Sequence, residues 1–156
     1  MPGVPALVTS ALIVDTATVG FLQATGTGGE RVREWYRTLR VGAYAMDVLS
    51  LIIGAYIAMR LAPDSLWKQL LLVVVVQMTH DILFGLFVQS RMAKGPLMSL
   101  FRRYANEMGI SILIADALMM IFTVLLAHQL TSLSSRDLAF AGAVAAYVGL
   151  LAVHSF

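Results

Sequence analysis

Cysteine is absent from the 156 residues. That excludes disulfides, thiolate metal sites, iron–sulfur clusters and cysteine nucleophiles together. Charge is scarce as well, at 13% Asp, Glu, Lys and Arg, where a soluble domain carries about 25%. Strict alternation of apolar and polar residues is missing, which argues against the strands of a membrane barrel. No nucleophile elbow, HExxH zinc motif or phosphate loop occurs. "GTGGER" has no preceding strand and no following Gly-Lys-Ser/Thr. "TVGF" at 18–21 is not a potassium filter, because it lies inside a continuous apolar run and Leu22 follows it. The Met-rich "DALMMIF" reads as packing rather than copper binding.

What remains is long apolar sequence. Hydrophobic residues make up 59% of the chain, and the mean hydropathy is +0.82. Five runs, at 4–25, 41–62, 69–91, 109–130 and 138–155, approach the roughly 20 residues that a spanning helix requires. The expected fold is all-α: an integral membrane bundle of five transmembrane helices forming a single domain over 1–156. The N-terminus "MPGVPALVTS" lacks a basic n-region, so the first helix is expected to be retained. Gly, Pro, Ser and Asp clusters separate the runs: "GTGG", "APDS", "KGP" and "TSLSSRD".

Basic residues mark two of the four loops. Loop 26–40 holds Arg31, Arg33, Arg37 and Arg40, and loop 91–108 holds Arg91, Lys94, Arg102 and Arg103. The other two loops hold Arg60, Lys68 and Arg136. By the positive-inside rule the basic loops face the cytosol, the N-terminus lies outside and the C-terminus inside. Five acids also lie outside the runs. The basic loops therefore suit anionic lipid headgroups, and no nucleic-acid partner is expected.

The two halves repeat a pattern. "LIVDTATVGFL", a basic loop and "WYRTLRVGAYAMDVLSLIIGAYIA" are matched by "MTHDILFGLFV", a basic loop and "FRRYANEMGISILIADALMMIFTVLLA". "AMDVL" recurs as "IADAL", with the Ala directly before the Asp in the second copy. The expected organisation is a duplicated two-helix unit, about 7–62 and about 70–130, with an extra helix at about 138–155. Two spans per copy give both copies the same orientation, with a pseudo-twofold axis along the membrane normal.

The repeat pairs Asp15 with Asp81 and Asp47 with Asp116, all inside apolar runs that hold no Lys or Arg beside them. Each acid shares a helical face with small or polar residues, the residues of helix–helix contacts. Asp81 aligns with Gln77, Gly85 and Gln89, and Asp47 with Ser50, Gly54 and Ala58. Asp116 aligns with Gly109 and Thr123, and Asp15 with Ala11 and Thr18. None should face lipid, and all four should lie at similar depth. One central Asp costs roughly 2.5 to 3.5 kcal/mol on insertion scales. Four ionised together would be prohibitive, so protons, helix donors or a bound cation must neutralise them.

The candidate ion, proton or polar-ligand site is therefore Asp15, Asp47, Asp81, Asp116, Gln77 and His80. His80 stands about 100° around the helix from Asp81 and need not share its face. His128 is expected at the interface, and His154 carries no signal. A hard-metal site is one reading of the acids, but the sequence identifies no metal. No cofactor and no catalytic residue are predicted. Ala139, Gly142, Ala146 and Gly149 on the fifth helix suit close packing, or a homo-oligomer or larger membrane complex.

The segments "WYRTLRVGAYAMDVLSLIIGAYIA" and "QMTHDILFG…RYANEMGISILIADALMMI" resemble small multi-pass membrane proteins of unknown function from large nucleocytoplasmic DNA viruses. "THD", "YA-x-E-x-G" and "ADALMM" carry the resemblance, which spans most of 9–130. The chain is more distantly similar to bacterial predicted membrane proteins of unknown function. The resemblance implies a virion or host-membrane location and transfers no activity. Three functions follow as expectations: binding or transport of protons, small cations or a coupled solute; a structural membrane subunit; and, least supported, an intramembrane enzyme.

Overall fold

The structure, a computed structural model, describes residues 1–90, 92 and 94–156. Arg91, counted in the second basic loop, lies outside the described residues. The described residues are helical, with no strand among them. In chain order the helices are α1 (Val4–Thr25), α2 (Gly29–Leu39), α3 (Val41–Leu61), α4 (Leu66–Gln89), α5 (Pro96–Met108), α6 (Ile110–Gln129) and α7 (Ser135–Val153). Five of them, α1, α3, α4, α6 with its 3-10 extension to Ser132, and α7, are long and apolar enough to cross a membrane. This is the build of a multi-pass integral membrane protein. Polar caps set the two starts that differ most from the sequence reading. Ser65 accepts from the Lys68 amide and Ser134 from the Asp137 amide, so α4 and α7 begin three residues early.

The two basic stretches are not loops, which corrects the sequence reading. Each holds an amphipathic helix. On α2, Val32, Trp35, Tyr36 and Leu39 recur at helical spacing, and the first three are buried. On α5, Leu97, Leu100, Phe101, Tyr104 and Met108 do the same. Each basic stretch thus joins two spans through a short amphipathic helix. The junctions match as well. The chain turns from α2 into α3 at Arg40 (φ 46°, ψ −116°) and from α5 into α6 at Gly109 (φ 51°, ψ −132°). Glycine enters that backbone region readily, whereas Arg40 is the one non-glycine residue with positive φ among those described.

α1 and α4 each pack against both α3 and α6, with at most marginal contact with each other. α3 and α6 also touch. α7 lies outside this four-helix core, against α1. The α1–α7 seam is polar and evenly spaced. Thr9 donates to the Leu138 carbonyl (3.0 Å), Thr16 to the Ala145 carbonyl (2.9 Å) and Gln23 to the Ala152 carbonyl. Both sets advance by seven residues in the same direction, so the two helices run parallel. Small residues permit the approach. Gly142 meets Thr9 and Leu12, and Gly149 meets the Tyr44 ring of α3. The glycine face of the fifth span is therefore used within the chain, while Phe140, Val144, Tyr147, Val148 and Leu151 are exposed.

A Cβ at Gly149 would come within 2.5 Å of Tyr44, whereas one at Gly20 meets nothing within 4 Å. Gly149→Ala should therefore destabilise the protein by about 1–3 kcal/mol through overpacking. Gly20→Ala should be neutral or stabilising by up to about 1 kcal/mol through helix propensity. Thermal unfolding in detergent checks both, and equal shifts would contradict the packing described.

Candidate functional site

A cavity of about 790 Å³ lies among α1, α2, α3, α4, α5 and α6. Its size falls within the roughly 300–1,000 Å³ of small-molecule sites. Asp47 enters from α3, Asp81 from α4 and Asp116 from α6. Ser50, Gln77 and His80 add further polar groups. Trp35, Tyr36, Phe84, Phe101 and Tyr104 form much of the rest of the wall. Among the described residues, no Lys or Arg lines it. Exposed Ile82, Leu86 and Leu97 stand at its rim, so it opens beside α4 and α5.

Five of the six residues named from sequence come together here, and the sixth sits apart. Asp15 is fully buried in α1 and is not part of the wall. Both its carboxyl oxygens are buried without a hydrogen-bond partner, although it lies within electrostatic reach of Asp47 and Asp116. An isolated buried charge is costly in such a place.

Asp47 and Asp81 have hydrogen-bond partners of their own. The Tyr36 hydroxyl donates to Asp47 (2.9 Å). The Gln77 amide donates to Asp81 Oδ1 (2.7 Å) across one helical turn. His80 Nδ1 lies 3.0 Å from the same oxygen, so the two neighbours do meet despite their angular offset. The His80 ring also stacks on Phe84. Asp81 Oδ2 is buried and has no partner. The result is a short polar chain, Gln77–Asp81–His80, on one wall of the cavity. Gln89, on the same stripe, also lines the cavity and donates to Asn106 on α5 (2.8 Å).

α2 and α5 close one end. Trp35 packs on Phe101 (ring centroids 4.8 Å apart), which meets Phe84 edge-on at 4.9 Å. Glu34 bridges Arg31 (2.6 Å) and Arg103 (2.6 Å), and Arg31 also reaches Glu107 (3.3 Å). Arg102 donates to the Val88 carbonyl (2.8 Å), satisfying the end of α4. Burial first, then the nearby aspartates, holds the Tyr36 and Tyr104 phenols well above the ordinary range, so both remain hydrogen-bond donors. At the opposite end His128 meets the buried Gln69 (2.8 Å), which donates to the Ala62 carbonyl. His128 thus ties α6 to α4 and α3.

The sequence reading missed the aromatic wall. Its signal was there, in the spacing of Val32, Trp35, Tyr36 and Leu39. A hard-metal cage is not formed: among the described residues, no three His, Cys, Asp or Glu side chains are placed to hold a metal ion. Comparison of the chain with protein-family models, curated proteins and solved structures yields no match.

Hydrogen bonds from Arg31 and then Arg103 hold the Glu34 carboxyl below its ordinary value of 4.5. A depressed folded-state value stabilises the fold above pH 4.5 and is lost as pH falls through that lower value. Thermal stability of the wild type should therefore drop more steeply than that of Glu34→Gln between about pH 5 and about pH 3. Parallel curves would contradict the bridge.

Proposed function

We propose that the protein binds and moves protons or small cations, or a solute coupled to them, through the intramembrane aspartates. The observation that carries this reading is convergence: three carboxylates from three different spans line one open cavity, with a fourth buried behind them. Acids that serve only helix packing would be bonded separately between helices, with no shared space. Carboxylates inside a membrane that face a common cavity mark ion and proton pathways. Asp81, in contact with His80 and held by Gln77, is the acid at the centre of the site. Asp47, held by Tyr36, and Asp116 complete the site.

The matched junctions and packing of α1–α3 and α4–α6 support a duplicated unit related by an axis along the membrane normal, as in parallel-repeat transporters. The basic α2/α5 end faces the cytosol in this reading. The resemblance to viral membrane proteins would place the chain in a virion or host membrane. The rival reading, a structural subunit of a larger assembly, is favoured by the exposed apolar face of α7 and by the separate hydrogen bonds of Asp47 and Asp81.

Reconstitution into liposomes tests the proposal. Wild-type protein should carry a proton or cation flux. Asp81→Asn and Asp47→Asn, folded as judged by gel filtration and thermal unfolding, should fall to the level of empty liposomes. No flux from folded wild type, or flux unchanged in both variants, would overturn it.

A further inference from the structure

We infer that the cavity takes a lipophilic organic cation, with its charge among Asp47, Asp81 and Asp116 and its apolar body against the aromatic wall. This deepens the transport reading and rests on it. Three independent features of the cavity select this chemistry.

The first is charge. The wall carries three carboxyl groups and no Lys or Arg among the described residues. One carboxyl oxygen of Asp81, Oδ2, is buried with no hydrogen-bond partner. An anionic ligand would meet only like charge and desolvation.

The second is the lack of a coordination cage. Hard inorganic cations demand several oxygens at close range: about six to eight for calcium, and an octahedral set for magnesium. The described residues provide no such group. A bare proton, for its part, needs no chamber of about 790 Å³.

The third is the remaining wall. Trp35, Phe84, Phe101 and Tyr104, with Met46, Met98 and Met119, surround the acids. Aromatic faces attract organic cations through their quadrupole, and Trp does so best. Methionines adapt to irregular apolar bodies. A ligand with delocalised or shielded positive charge and a bulky apolar frame satisfies all three features at once. The rim residues Ile82, Leu86 and Leu97 give such a ligand an apolar entrance.

Tetraphenylphosphonium is a suitable probe, with tetraphenylborate as its anion of near-identical shape. The chain has two tryptophans. Trp35 lines the cavity, whereas Trp67 is exposed elsewhere. In a Trp67→Phe background Trp35 emission reports occupancy alone. Titration of the full-length protein in detergent should give a saturable change with tetraphenylphosphonium and none with tetraphenylborate. Asp81→Asn and Asp116→Asn should each weaken binding about tenfold or more, through loss of a close opposite charge. The cation–anion comparison needs no site variant, so it stands even if one variant fails to fold. Equal binding of both ions, unchanged affinity in both folded variants, or no saturable signal from folded protein would overturn the inference. Flux measured in liposomes without the probe separates the two claims. Aspartate-dependent flux without tetraphenylphosphonium binding overturns the organic-cation inference alone. Binding without flux upholds the ligand class and overturns transport.

Discussion

A carboxyl group inside an apolar layer must meet something other than lipid, and the arrangement of this bundle follows from that constraint. Lipid cannot solvate it, and each unsatisfied oxygen carries a large desolvation cost. The chain answers in two ways. Asp15 is fully enclosed between α1 and its neighbours. Asp47, Asp81 and Asp116 are turned toward one cavity, and each approaches it from a different span. Tyr36 and Gln77 donate to two of them. Outward faces of the same helices carry Leu49, Ile53, Leu83 and Leu118, which are exposed as lipid-facing residues should be.

The amphipathic helices α2 and α5 make that cavity. Without them the four-helix core would be open at the end where the acids lie. Their apolar sides supply Trp35, Phe101 and Tyr104 to the wall, while their charged sides pair through Arg31, Glu34 and Arg103. The same helices therefore give the site its aromatic lining and hold its two halves together. α7 contributes differently. Its parallel seam of Thr9, Thr16 and Gln23 against main-chain carbonyls fixes α1, and through Tyr44 it also steadies α3.

The spans were legible in the sequence because length and apolarity alone decide membrane crossing. The inward direction of the acids was legible too, from small and polar residues on their faces. Three features were harder to read. α2 and α5 are short and rich in Arg, so composition suggested loops, and only the spacing of Val32, Trp35, Tyr36 and Leu39 betrayed a helix. The α1–α7 seam was hidden because Thr and Gln donate to backbone carbonyls, which leave no mark on the partner's sequence. The Asp81–His80 contact depends on side-chain rotamers that angular spacing does not specify. Asp15 shows the reverse limit. Its matched position in the pattern suggested a place in the common site, yet packing against α1's neighbours withdraws it from the wall.

A shared cavity that water and ligands reach leaves its lining open to aqueous reagents. The absence of cysteine makes this directly measurable. Single cysteines at Ser50 and Gly85, which line the cavity, and at Leu83 and Val75, which are exposed on the outer face of α4, can be challenged in membranes with a charged, water-soluble maleimide. Labelling is expected at Ser50→Cys and Gly85→Cys and none at Leu83→Cys or Val75→Cys. No labelling at either cavity position in folded protein, or equal labelling at all four, would contradict it.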